Sequence, residues 1–418
     1  MTLQKSLDQK LANIHADPHG AKDFILADAK DADMAFGIGA PGLSPERHDG
    51  ELRYKTLGQY RQQIREVIKQ GVVDIVLMSA STSEQLAIEE RLFEHSHITP
   101  ASRANDATDI HLPRGGQVHA APARPFRTAS IDHMQCGKVE CAPGERKLGS
   151  NLGLYSVTFN NRLELDLDTI TQFKEFREEA ERKGFRYFLE IFDPNTKDAV
   201  TADVLPGFIN DLVARTLAGV TKAGRPQFLK MVYHGPKAME ELVAYDPHLV
   251  VGILGGAAGT TLDAFTLLYE AKKYGARAAL FGRKINQAEN QLAFIEFLRH
   301  IADGVIEPAE AVKAYHAVLE RLGVAPHRTL EQDLTLQTNV MSYGGSGVTI
   351  SVAPSKKEEP APATKPTAEA PKAATPTAAT SEKKAAATTN GAAPDLMKMS
   401  SAERVAWHRE RMNRKFGG

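Results

Sequence analysis

The chain of 418 residues has only two cysteines, one tryptophan and almost no net charge, 51 basic side chains standing against 52 acidic ones. Each scarcity excludes something. Cys136 and Cys141 are too few for the disulfide framework that holds small secreted domains together. Balanced charge argues against a nucleic-acid binder as a whole and leaves room only for local basic patches. No run approaches the ~18 apolar residues of a membrane span. The N-terminal MTLQKSLDQKLANIHADPHG lacks the apolar core of a signal peptide. A cytoplasmic protein with no membrane and no nucleic-acid partner is expected. Between Ser351 and about Pro394 there is no aromatic residue and little besides Ala, Pro, Thr, Lys, Glu and Ser. Such a stretch buries too little apolar surface to offset the entropy of ordering it, so it reads as a disordered, extended linker.

What is present is a folded region of ordinary globular composition, 42% hydrophobic and 25% charged over the whole chain. Apolar runs too continuous for half-exposed strands fall at Phe24–Ala27, Val73–Ser79, Ile98–Ser102, Leu152–Phe159, Arg186–Phe192, Phe228–Tyr233, Leu249–Leu254 and Ala276–Phe281. Helical patterns separate most of them: Leu57–Gln70, Ser83–Phe93, Asp168–Lys183, Pro206–Lys222, Pro236–Tyr245 and Thr261–Tyr274. Strands in such alternation predict an α/β protein, a (β/α)8 TIM barrel, for which about 250 residues are typical. The segment Gly37-Ile38-Gly39-Ala40-Pro41-Gly42 is rich in glycine, but it lies well beyond the first strand and its spacing does not fit a dinucleotide fingerprint. The three parts expected are the barrel over residues 1–343, the linker over 344–394 and an amphipathic helix over 395–418.

The stretch Asn105–Ser150 is the weakest joint, too long for an ordinary connection and so expected to be a lid or an interface element. Within it Cys136 and Cys141 lie near His133. A tetrahedral zinc site needs four ligands and His119 is the only obvious further one, so free thiols in a hairpin or subunit-contact loop are expected instead.

Lys230 carries the chemistry. It lies mid-strand among Phe228, Leu229, Met231 and Val232. A free lysine is almost wholly protonated at neutral pH, and desolvation or a neighbouring cation is what frees its lone pair for attack. The plainer alternative is a barrel lysine held by a carboxylate. Glu190 ends the preceding strand and could serve as acid/base or simply as that carboxylate. Asp28 ends the first strand and could orient Lys230 or shuttle protons, while Asp31 and Asp33 could be solvated loop charges. Gly255-Gly256 and Gly282-Arg283 end the last two strands, where barrels commonly bind phosphate. Glycines there expose backbone N–H groups, the helix from Thr261 adds an N-terminus, and Arg283 offers a fork donor. Tight turns required by close packing are the alternative.

In these residues the chain resembles the class I aldolases of the archaeal-type fructose-bisphosphate, tagatose-bisphosphate and deoxyribose-phosphate aldolase superfamily. The resemblance runs over roughly Lys22–Gly304 and is clearest from Arg186 onward. It rests on Phe228-Leu229-Lys230, Phe188-Leu189-Glu190-Ile191, Ile25-Leu26-Ala27-Asp28, Gly255-Gly256 and Gly282-Arg283-Lys284-Ile285-Asn286-Gln287. It implies a Schiff base on Lys230, Glu190 as acid/base, Asp28 in a supporting role and a phosphorylated sugar held by Gly255, Gly256, Gly282 and Arg283. No metal and no cofactor are expected, and a homo-oligomer is. Two departures bear on the substrate: no lysine lies in Leu152–Asn161, and small residues fill Gly255–Gly259 where a second lysine would stand. Lys30, near the mouth of the first strand, is the expected substitute source of charge.

Residues 395–418 begin a helix at Ser400, with Glu403 completing a capping box. Ala402, Val405, Met412 and Phe416 form a narrow apolar stripe interrupted by Arg409, and six basic residues outnumber three acidic ones. A helix this short is marginal alone and should fold on a partner. Tethered by an Ala/Pro linker it resembles the encapsulation peptides that place enzymes inside bacterial microcompartments. The reading is a class I aldolase, a carbon–carbon lyase releasing an aldehyde, possible cargo of such a compartment, with shell or core proteins as partners. The alternatives are a phosphate-binding isomerase or epimerase, and an inactive barrel serving as cargo or scaffold.

Overall fold

A computed structural model of the chain describes residues 3–44, 54–256 and 259–338. The linker and the terminal helix expected beyond residue 343 lie outside the described residues.

Eight parallel strands close into a barrel: β1 (Ile25–Lys30), β2 (Ile75–Met78), β3 (Thr99–Arg103), β4 (Leu152–Thr158), β5 (Arg186–Phe192), β6 (Leu229–Met231), β7 (Gly252–Leu254) and β8 (Ala278–Phe281). All eight overlap the apolar runs read from the sequence, with β1 running on to Lys30 and β3 to Arg103 beyond them. Successive side chains alternate between the lumen and the surrounding helices. Ile25, Ala27, Ile75, Leu77, Ala101, Leu154, Phe188, Phe228 and Leu280 share an inner core, whereas Phe24, Leu26, Val76, Tyr155 and Leu189 pack outward. Inside, the rings of Phe188 and Phe228 stack with centroids 4.5 Å apart.

The lower end of the barrel is closed by α1 (Ser6–Ala16), which carries no motif and was not expected from the sequence. It inserts Leu7, Leu11 and Ile14, at helical spacing, into the inner core. The Lys5 ammonium anchors it by donating to the carbonyls of Phe93, Ser96 and Ile98 at 2.7, 2.7 and 3.0 Å.

The outer helices are α2 (Leu57–Gln70), α3 (Leu163–Arg182), α4 (Leu205–Ala218), α5 (Pro236–Tyr245), α6 (Thr261–Lys273), α7 (Gln291–Asp303) and α8 (Pro308–Leu322). The helix α2 keeps its expected limits because a Thr56/Gln59 capping box starts it and Gly71, at φ 72°, ends it. The start of α3 lies earlier than expected, since the Asp166 carboxylate gathers the N–H groups of Asn160 and Arg162 ahead of it. The expected helix 83–93 is instead a short turn, Ala80–Ser83, followed by a π-helical segment, Glu84–Glu89.

The 105–150 stretch holds a two-residue pairing of Asp106–Ala107 with Pro125–Phe126 and a short helix, Ile131–Cys136. Cys136 and Cys141 are not free thiols but are joined in a disulfide, their Cα atoms 6.0 Å apart. The reversal at Gly137 (φ 75°) and the Asp132 carboxylate, which accepts from the Cys141 N–H at 3.0 Å, bring the two ends of this hairpin together. His133 is used in a capping box with Ser130. Among the described residues no helix is long and apolar enough to cross a membrane.

Candidate active site

Register decides which side chains meet. Glu190 of β5 is paired with Ser156 of β4 on one side and with Lys230 of β6 on the other. All three point into the lumen from one layer, near the C-terminal end where barrel active sites form. The Lys230 Nζ lies 2.5 Å from Glu190 Oε1, and the Ser156 hydroxyl donates to Glu190 Oε2 at 2.7 Å. Glu190 is 2% exposed and Lys230 7%, so the pair is desolvated except at the edge facing the cleft.

A buried guanidinium completes the layer. Arg103, from the last position of β3, donates to the Ser156 hydroxyl at 2.9 Å and to Asp31 Oδ2 at 2.7 Å. It also faces Glu190 at 3.6 Å and Asp106 at 3.5 Å. Burial alone would pull Arg103 down. Asp31, Glu190 and Asp106 together overcome that and hold its pKa above the ordinary arginine value. Asn105 sets the strand beneath, accepting from the Ser156 N–H at 2.6 Å and donating to its carbonyl at 2.9 Å.

Above this layer a cleft of about 710 Å³, counted with the solvent at its open mouth, is lined by Asp31, Phe36, Arg103, Glu190, Lys230 and Arg283 among others.

Of the carboxylates read from the sequence, Glu190 reaches this cleft and Asp28 does not. Ile25, Ala27 and Ala29 are the lumen-facing residues of β1, which turns Asp28 outward toward the helices. There it lies 3.3 Å from the Lys30 ammonium, both side chains fully buried. Lys30 donates to Asn286 Oδ1 at 2.5 Å and to Gln291 Oε1 at 3.1 Å, and the Tyr60 ring lies 5.9 Å away. Burial raises the Asp28 carboxyl to about 6 against the opposing pull of Lys30, and burial likewise lowers Lys30. Neither residue supplies charge to the cleft. The carboxylate that the first strand delivers is Asp31.

Gly255, Gly256, Gly282 and Arg283 all line the cleft. Packing accounts for two of the glycines: a Cβ on Gly255 would fall 2.2 Å from the Phe281 ring, and one on Gly282 would fall 2.6 Å from the Ala29 carbonyl oxygen. The Gly255 N–H donates to the Leu280 carbonyl at 2.8 Å, so it is not offered to a ligand. The N-terminus of α6 is also taken, correcting the expectation that it would reinforce an anion site. Thr260 and Asp263 form a capping box there, and Asp333 accepts from the Thr261 N–H at 2.7 Å. Lys284 holds the preceding loop by donating to the Gly259 and Thr260 carbonyls at 2.5 and 3.2 Å, and its burial lowers its pKa to about 8. The Arg283 guanidinium lies 5.9 Å from the Phe36 ring centroid and makes no ion pair among the described residues. Burial lowers its pKa, with Glu190 pulling the other way.

Arg103, Ser156, Asp31 and Asn105 are the parts of the site that motif reading missed. The only sequence signal for two of them is polarity late in an apolar run: in the structure Thr99, Ala101 and Arg103 share a face of β3, as Leu152, Leu154 and Ser156 share one of β4, but both strands are buried on both faces and alternation could not tell which face is the lumen.

No family of known sequences matches the chain, and no curated protein matches it by sequence. Solved structures do. An archaeal fructose 1,6-bisphosphate aldolase superposes with a TM-score of 0.51 at 14% identity, covering 72% of this chain and 100% of that one. An archaeal fructose-1,6-bisphosphate aldolase whose catalytic lysine is covalently bound to the carbinolamine intermediate of its substrate gives the same score, identity and coverage. The fructose-bisphosphate aldolase from Slackia heliotrinireducens gives 0.52 at 11% identity, covering 77% of this chain and 93% of that one. At such identities the likeness establishes the fold: this chain is a (β/α)8 barrel.

Proposed function

We propose that this protein is a class I aldolase acting on a phosphorylated sugar through a Schiff base on Lys230. The observation that carries the reading is a desolvated lysine lining an open cleft, with a carboxylate 2.5 Å from its nitrogen. Likeness to barrels that use a covalent lysine supports it.

In this mechanism Glu190 first takes a proton from the Lys230 ammonium, which leaves the amine free to add to the substrate carbonyl. Glu190 then returns the proton to the carbinolamine hydroxyl, which departs as water and leaves the iminium. Ionised again, Glu190 removes the proton of the hydroxyl two carbons away. The carbon–carbon bond breaks, an aldehyde leaves, and the electron pair is stored as an enamine on Lys230. Protonation of the enamine and hydrolysis of the imine release the ketone phosphate and restore the lysine. Arg103 keeps Glu190 in place through Ser156, and Arg283 with the Gly256 turn holds the phosphate.

Borohydride reduction in the presence of a panel of sugar phosphates tests the reading. The reduced adduct should map to the peptide containing Lys230. Labelling at another lysine overturns the assignment to Lys230, and an active Lys230→Met variant with no trapped adduct refutes the aldolase and leaves an isomerase. We also propose that residues 395–418 address the enzyme to a microcompartment, a reading supported by their apolar stripe and basic excess alone. A fluorescent protein fused to them should enter co-expressed shells, and truncation after Tyr343 should leave kcat unchanged. A fusion that stays diffuse among well-formed shells refutes the address and leaves the aldolase untouched.

A further inference from the structure

Asp28 and Lys30 are a fully buried ion pair that the reaction proposed above does not use. Such a pair seldom adds more stability than apolar side chains of the same size, so its use lies in what it holds. Lys30 holds a turn. Asp28 is paired with Phe281, and two residues further along the same register Lys30 comes level with Arg283. There the chain makes one short helical turn, Arg283–Gln287, whose first residue lines the cleft. A turn this short has no stability of its own and takes its position from whatever grips it. It is gripped at Asn286, which is 4% exposed. Its Oδ1 accepts from the Lys30 ammonium at 2.5 Å, and its Nδ2 donates to the Tyr60 hydroxyl of α2 at 3.4 Å. An ammonium can only donate, so Lys30 fixes which way the Asn286 amide points. Lys30 also donates to Gln291 Oε1 of α7, whose own amide donates to the Gln63 carbonyl of α2 at 3.1 Å. On its other side the turn is tied by Lys284 to the loop ahead of α6.

We infer that Lys30 is a positioning residue for substrate binding: through Asn286 it sets where the Arg283 guanidinium stands in the cleft. The inference rests on the reading of Arg283 as the phosphate contact, and not on the imine. The Asn286 N–H donates to the Gly282 carbonyl at 2.9 Å, which closes the turn around Arg283 and makes the two residues move together. Hydrogen bonds from a guanidinium to an anion are short and directional, so a shifted Arg283 loses much of its hold. Glu190 and Lys230 stand on β5 and β6 and do not depend on this turn.

The test is a double-mutant cycle on the full-length protein, read by calorimetry with a hexitol monophosphate, which has no carbonyl and binds without forming an imine. Arg283→Ala should cut affinity by about tenfold or more. Asn286→Ala, and separately Asp28→Asn combined with Lys30→Met, should each cut it by about three- to tenfold. Two routes to the same break are used so that one variant that fails to fold still leaves the other to decide. In the Arg283→Ala background the same changes should add less than about twofold, because positions acting through one group do not add. A structural role alone would weaken binding equally in both backgrounds. In kinetics the loss should appear in KM and leave kcat nearly unchanged. The inference is overturned if these variants bind as the wild type does while Arg283→Ala binds weakly, or if their losses persist in full without Arg283. If Arg283→Ala itself binds as tightly as the wild type, the phosphate reading falls and this inference with it, so the two failures are told apart.

Discussion

Replacing Glu190 by Gln removes the carboxylate placed to move protons at Lys230 while keeping its shape. The amide oxygen still accepts from the Ser156 hydroxyl, a contact of 2.7 Å in the native chain, so the layer of β4, β5 and β6 keeps its spacing. What is lost is the carboxylate 2.5 Å from Lys230 Nζ, which must accept the ammonium proton, protonate the carbinolamine and deprotonate the sugar hydroxyl. A positioned general acid or base is worth about 10²–10⁴ in rate, so kcat should fall by that factor, roughly 3–5 kcal/mol of barrier. Stability should fall far less, by about 1–3 kcal/mol, the cost of weakening one buried polar contact. The assay is single-turnover release of aldehyde, paired with borohydride trapping over time. Adduct on Lys230 should still form, more slowly, because the lysine itself is intact. A kcat within threefold of wild type in a folded variant would refute the role given to Glu190.

Asp28→Asn combined with Lys30→Met tests the outward placement of that pair: kcat should stay within about threefold, because a buried ion pair exchanged for neutral side chains of similar size is often neutral or better for stability. The same variant should flatten the pH dependence. Burial holds the Asp28 carboxyl at about 6, above the ordinary aspartate value, so the folded chain binds this proton more tightly than the unfolded chain. Wild-type stability should therefore drop by roughly 3 kcal/mol as pH rises from about 4 to 6, read by urea unfolding, and the double variant should lack that drop. Leu7→Ala should cost about 2–5 kcal/mol, since its fully buried side chain closes the lower end of the barrel and a cavity would remain; a change under 1 kcal/mol would mean α1 is not part of the core. Arg283→Ala should raise KM for a phosphorylated substrate by the equivalent of about 1.5–3 kcal/mol with little change in kcat, because the contact is shared by ground and transition states; an unchanged KM removes Arg283 from the site.

The sequence by itself determined the order and position of all eight strands, because parallel strands buried on both faces leave unbroken apolar runs with loops between them. It also singled out Lys230 and Glu190, whose charge in apolar strands was conspicuous and whose strands are neighbours. The same double burial hid the facing of each residue. Alternation shows which side of a strand is inward only when one side is wet, and β1 is buried throughout, so nothing in Ile25-Leu26-Ala27-Asp28-Ala29-Lys30 distinguished lumen from helix layer. Closure of the barrel decided that Asp28 and Lys30 face away from the cleft. Tertiary structure also decided the role of Arg103, whose partners come from 72, 53 and 87 positions away at Asp31, Ser156 and Glu190. It decided the capping of α6 by Asp333 from 72 residues onward, and the seating of α1, an amphipathic helix whose partner is a ring of side chains that exists only once eight strands have closed.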